Sequence, residues 1–123
     1  MPHMQIAERR VGPVTILTLS GHLVLGDGDL LLKERIDRLL AEERVDIVLN
    51  LHDVDSIDSC GVGVVVSRYV SVRKRGGDLK VLCPSDRCRR VLSLSGLLNI
   101  FQPCESEEDA IRRLPAQCAV GVR

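Results

Sequence analysis

The run Ile47-Val48-Leu49-Asn50-Leu51 constrains the fold more than any other segment. It is too short for a helix and too apolar for a strand with one solvated face, so it reads as a central parallel strand. A parallel neighbour cannot be reached through a tight turn, so a crossover is needed, and in such units the crossover is a helix. The next segment supplies one. Beyond the polar turn His52 to Asp58, residues Ser59 to Lys74 put Val62, Val65, Val66, Tyr69 and Val72 on one helical face, and Gly76-Gly77 stop the helix. Burial overrides the weak helix propensity of so many valines.

The same alternation runs through the chain. Val14 to Leu19 (VTILTL) is a buried strand between Gly12-Pro13 and Ser20-Gly21, and a shorter strand over Met4 to Arg10 would complete a hairpin with it. From Asp29, Leu32, Ile36, Leu39 and Leu40 recur at helical spacing, with Asp29 or Asp27 as the expected N-cap. Leu79 to Cys83 reads as a strand and Ser85 to Ser95 as a helix ended by Gly96. Ile100-Phe101 reads as a last brief strand and Ser106 to Leu114 as a last helix. The order ββαβαβαβα predicts an α/β fold, a central mixed and mostly parallel sheet of about five strands with about four helices on right-handed crossovers. Ligand or partner surfaces in such folds lie at the carboxyl ends of the strands. Here those ends are Ser20 to Gly28, His52 to Gly61 and Pro84 to Arg87.

A chain of 123 residues has room for one core, and at 45% hydrophobic and 28% charged residues it reads as a soluble globular domain. Seventeen basic side chains against seventeen acidic ones leave no positive field for direct nucleic-acid or membrane binding. Tyr69 and Phe101 are the only aromatics, so base stacking is excluded too and the core must be aliphatic. Neutrality is nevertheless a cancellation. Residues 1 to 60 hold 6 basic and 11 acidic side chains, a balance of −5, and residues 61 to 123 hold 11 and 6, a balance of +5. Cys60, Cys83, Cys88, Cys104 and Cys118 form no CxxC pair and read as reduced thiols. With His3, His22 and His52 scattered, no metal site is expected. The opening Met1-Pro2-His3-Met4 lacks the pattern of a signal peptide, so cytoplasmic residence is expected.

The most informative residues are Asp58-Ser59-Cys60-Gly61, which follow the central strand and open a helix. Two readings fit together: Asp58 or Ser59 caps the helix, and the Ser59 hydroxyl lies where helix N–H groups and dipole tolerate a phosphate. With Asp53, Asp55 and Asp58 nearby, a phosphate would deepen an already acidic surface and act as a switch on binding.

Together, Ser20-Gly21, the IVLNL strand, Ile57-Asp58-Ser59-Cys60-Gly61-Val62-Gly63, Arg73-Lys74-Arg75-Gly76-Gly77 and Leu94-Ser95-Gly96-Leu97 resemble the STAS domain family, specifically bacterial anti-sigma factor antagonists. The resemblance covers Ile6 to Leu114. It implies a single domain over residues 1–123, with a core over about 6–114 and a C-terminal tail over 115–123. It also implies a non-enzymatic module without cofactor. The unphosphorylated form would bind a serine-kinase anti-sigma factor, phosphorylation at Ser59 would release it, and a serine phosphatase would restore it. The implied partner-binding residues are Asp27, Asp55, Asp58, Ser59, Cys60 and Gly61, the oligomeric state being a monomer or weak dimer. The chain departs from the family at Cys60, where a small Ser, Ala or Thr is common, and at His22-Leu23-Val24, where many antagonists carry an acid. That acid's role would then be lost or moved to Asp27. An alternative is a STAS subunit of a membrane transport ATPase or stress-signalling assembly, or a nucleotide-binding STAS domain.

Cys60 with His22 or His52 would pair a nucleophile with a base, but no orienting group or oxyanion hole is recognisable. Gly61-Val62-Gly63 and Gly26-Asp27-Gly28 lack the full phosphate-cradling patterns. Gly61 reads instead as relief of crowding where the helix starts. Arg73-Lys74-Arg75 and Arg87, Arg89 and Arg90 read as solvated helix-end charges.

Overall fold

The computed structural model describes residues 4–82 and 84–114. Strand β1 (Gln5–Val11) folds back on β2 (Val14–Leu23) as an antiparallel hairpin, with Val11 opposite Val14 and Gly12 in the left-handed region at φ +58°. Helix α1 (Asp29–Ala41) leads to β3 (Asp46–Ile57), which lies parallel to β2, and α2 (Ser59–Lys74) leads to the parallel β4 (Asp78–Leu82). Helices α3 (Asp86–Leu94), α4 (Leu98–Phe101) and α5 (Glu107–Arg112) complete the fold. The sheet order is β1-β2-β3-β4. Cys83 and the expected tail over 115–123 lie outside the described residues.

The short aliphatic strands are covered on both faces, as their composition requires. On one face Leu17, Leu19, Leu49, Leu51, Leu79 and Val81 pack with Leu32 and Ile36 of α1, Val65 and Val72 of α2 and Leu92 of α3. On the other, Val14, Ile16, Val48 and Leu82 meet Cys104, Ala110 and Leu114.

Two expectations are corrected. The sheet has four strands rather than about five, because Ile100-Phe101 belongs to the single helical turn α4. The Phe101 and Ile100 N–H groups both donate to the Leu97 carbonyl, at 2.9 and 3.1 Å. Coiling there delivers the Phe101 ring to Tyr69 in an edge-to-face contact, with centroids 5.3 Å apart. The only extra sheet-like contact among the described residues is an isolated parallel bridge between Leu82 and Cys104. The second correction concerns His52 to Asp58, which is not a turn, since β3 continues to Ile57. Pairing shifts between Thr18 and Ser20 and again between Gly21 and His22, so that His22 faces Ser56 and Leu23 faces Ile57. These irregularities let a polar-looking segment stay in the sheet with Val54 and Ile57 buried and Asp53 and Asp55 exposed.

Candidate functional site

Strands β2 and β3 end side by side at Leu23 and Ile57, and each then leaves the sheet. One continues as the loop Val24 to Gly28, the other passes through Asp58 directly into α2. Asp58 is the N-cap of α2, in extended backbone. One of its carboxylate oxygens accepts the Gly61 N–H at 2.9 Å, while the other reaches across to accept the Leu25 N–H at 3.0 Å. Its own N–H donates to the Leu23 carbonyl at 3.4 Å. One residue thus caps the helix and fastens the neighbouring loop to it. The Leu25 N–H, and after it the Gly61 N–H, hold the Asp58 carboxyl below the usual aspartate range despite some desolvation.

Ser59, the first helical residue, is exposed beside this clamp, and Cys60 is half-buried with a free thiol. Gly61 is buried because the helix start lies almost on the backbone of β2. A Cβ there would sit 2.1 Å from the Leu23 carbonyl oxygen and 3.0 Å from Ile57 Cγ1. Relief of crowding is therefore the role Gly61 fills.

The acidic residues divide into two sets. Neither Asp27 nor Asp29 caps α1; Gly28 takes that position without a side-chain cap. Asp29 is buried and accepts the Gly26 and Leu30 N–H groups at 3.0 and 2.8 Å. Asp27 accepts the Met4 N–H at 3.1 Å, fastening the loop to the edge of β1. Only Asp53 and Asp55 stand out from β3 into solvent.

Two leucines outside the sequence-based expectations stand exposed. Leu25 is 69% exposed and Leu30 62% exposed, one on the clamped loop and the other in the first turn of α1. Their signal was present: neither fits the buried Leu32-Ile36-Leu39-Leu40 periodicity. A second feature outside those expectations is a pair of grooves on the far side of the Asp55 to Ile57 segment. One, of about 500 Å³, is lined by His22, His52, Val54, Asp55, Ser85, Asp86 and Arg87. The other, of about 390 Å³, is lined by Ser56, Ile57, Asp86, Arg87, Arg90 and Val91. Cys60 lines neither, and His22 Nδ1 is engaged by Ser56 Oγ at 2.7 Å, so the imagined thiol and imidazole pair is not assembled. Arg68, farther along α2, is ion-paired with Asp37 of α1.

Comparison with known proteins agrees with this architecture. The STAS domain family profile matches residues 5–110. The anti-sigma F factor antagonist of Paenibacillus polymyxa is 29% identical over 112 residues, which is 91% of this chain and 96% of that protein. The crystal structure of tm1081 from Thermotoga maritima superposes with a TM-score of 0.80 at 30% identity, covering 87% of this chain and 92% of that one. The anti-sigma factor antagonist SpoIIAA of Bacillus, solved without and with phosphorylation, gives TM-scores of 0.76 and 0.70 at 25% identity. Both forms cover 89% of this chain, and 95% and 98% of their own. With the profile spanning nearly all of the described fold, the chain belongs to the STAS domain family.

Proposed function

We propose that this chain is an anti-sigma factor antagonist, a phosphorylation-controlled protein-binding module that holds its anti-sigma factor while Ser59 is unmodified. The carrying observation is that the exposed Ser59 hydroxyl stands at the start of α2 next to a loop that Asp58 clamps in place and that displays Leu25. Leu25 and Leu30 supply exposed apolar surface whose burial under a partner is favourable. A phosphate on Ser59 adds a charge of roughly −1.5 to −2 beside them. Asp58 already occupies the first N–H groups of α2, so the new dianion gains little from the helix and faces the partner instead. At about 6 Å and an effective dielectric of about 20, each unit of like charge on the partner repels by about 3 kcal/mol, more than a hundredfold in affinity.

The partner in this reading is an anti-sigma factor with serine kinase activity, and a serine phosphatase resets the module. The test incubates the purified chain with the anti-sigma factor encoded beside it and ATP, maps phosphate by mass spectrometry, and titrates binding. Label on Ser59, retained binding by Ser59→Ala and at least tenfold weaker binding by the phosphorylated chain are expected. Label elsewhere, with phosphorylated and unmodified chains binding equally, overturns the proposal.

A further inference from the structure

Helix α3 carries a surface that the phosphoacceptor does not use. Cys88 and Leu92, four residues apart, anchor it to the core. At 100° per residue the exposed side presents Asp86, Arg87, Arg90 and Leu94 within one arc, with the half-buried Val91 packed on the core at its edge and Arg89 further round. Leu94 is 82% exposed, and Ile100 of the adjoining α4 is 55% exposed. Arg87, Arg90 and Val91 form one wall of the smaller groove, and Ser56-Ile57 belongs to the other.

Among the described residues most arginines outside this helix are paired, the exposed Arg38 being an exception. Arg35, Arg68 and Arg73 pair with Glu8, Asp37 and Asp78, and Arg44 and Arg75 donate to backbone carbonyls. Arg87 and Arg90 make no ion pair or hydrogen bond among the described residues, although Asp86 and Asp55 lie along the same connected grooves. Two unmatched guanidinium groups followed by an exposed leucine on one helix face form a cationic stripe with an apolar end.

We propose that this stripe and its groove dock an acidic segment of a protein partner, its carboxylates on Arg87 and Arg90 and an apolar side chain on Leu94 and Ile100. Arginine suits the role because its planar fork takes a carboxylate through two hydrogen bonds. An anionic bilayer is the poorer occupant. A flat membrane would meet Asp55 and Asp86 together with the stripe, whereas a single chain can set its carboxylates on the two arginines alone. The assignment does not depend on Ser59 being phosphorylated.

The test uses a short fluorescein-labelled peptide of glutamates and leucines, its anisotropy titrated against the full chain, with amide chemical shifts to locate it. Shift changes confined to α3, α4 and Ser56-Ile57 are expected. Affinity should fall about tenfold for the double variant Arg87→Ala/Arg90→Ala, about threefold for Arg90→Ala, several-fold for Leu94→Ser and by less than twofold for Arg89→Ala, which removes the same single charge as Arg90→Ala but off the stripe. Equal losses for Arg89→Ala and Arg90→Ala would reduce the effect to net charge and overturn the proposal. So would absence of binding at millimolar protein, stronger recruitment to vesicles containing phosphatidylglycerol, or self-association abolished by Arg90→Glu, which would seat a second copy there.

Discussion

Replacing Gly61 by alanine puts a methyl carbon 2.1 Å from the Leu23 carbonyl oxygen, more than 1 Å inside ordinary contact. The obstacle is backbone at the paired carboxyl end of β2, so no side chain can swing aside. The start of α2 must move away from β2 instead. That movement stretches the two bonds that join them, Leu25 N–H to the Asp58 carboxylate at 3.0 Å and Asp58 N–H to the Leu23 carbonyl at 3.4 Å. Overpacking costs about 1–3 kcal/mol. Weakening one charge-assisted and one ordinary hydrogen bond adds about 1–2 kcal/mol, and the gain in helix propensity returns about 1 kcal/mol. The net loss is about 1–4 kcal/mol, a large part of a typical stability of roughly 5–15 kcal/mol. In urea, with a slope near 2 kcal/mol per molar, the midpoint should fall by about 0.5–2 M.

Gly63 supplies the control two residues along the same helix. A Cβ there meets nothing within 4 Å, and the position is exposed. Gly63→Ala should therefore stabilise the chain by up to about 1 kcal/mol. The pair separates close approach from propensity, since both variants make the same chemical change in one helix. A Gly61→Ala midpoint within about 0.3 M of the parent, or equal destabilisation by both variants, would refute the reasoning.

Two further outcomes follow from the clamp. Because the Asp58 carboxyl is held below its unfolded value, its contribution is present above about pH 4 and is lost as the pH falls through the folded value. Asp58→Ala should then cost about 2 kcal/mol at pH 7, a lost cap plus a lost long-range bond, and distinctly less at pH 2; equal gaps in urea midpoint at the two pH values would rule the clamp out. Leu25→Ser exposes no new core and should leave the melting temperature within about 2 °C, while weakening the anti-sigma factor at least tenfold in calorimetric titration. Unchanged affinity would remove Leu25 from the docking surface.

What the sequence made legible was whatever periodicity encodes. The Ile47 to Leu51 strand, the valine face of α2 and the hydroxyl at its start follow from spacing and turn residues alone. What escaped depends on partners distant in sequence. The second half of β3 looks polar, and only slips in its pairing with β2, 33 or 34 residues away, keep it in the sheet. Phe101 carries a strand-like residue type, yet its ring finds its partner in Tyr69 only when the backbone coils. Leu25 and Leu30 have the composition of core residues; what exposes them is a loop held outward by aspartates that local sequence would place as helix caps.

Those aspartates also change what the acidic half of the chain means. Asp27, Asp29 and Asp58 each accept backbone N–H groups, Asp37 serves Lys33 and Arg68, and Glu8 serves Arg10 and Arg35. Their charge is spent on holding loops and helices together, so it screens a partner weakly. Near Ser59 the carboxylates left facing solvent are Asp53 and Asp55. A phosphate bringing nearly two further charges therefore about doubles the uncompensated negative charge at the docking loop. Ser59→Asp brings only one, on a shorter side chain, and is expected to weaken the anti-sigma factor by roughly the square root of the phosphate's fold-change, because Coulomb energy scales linearly with charge.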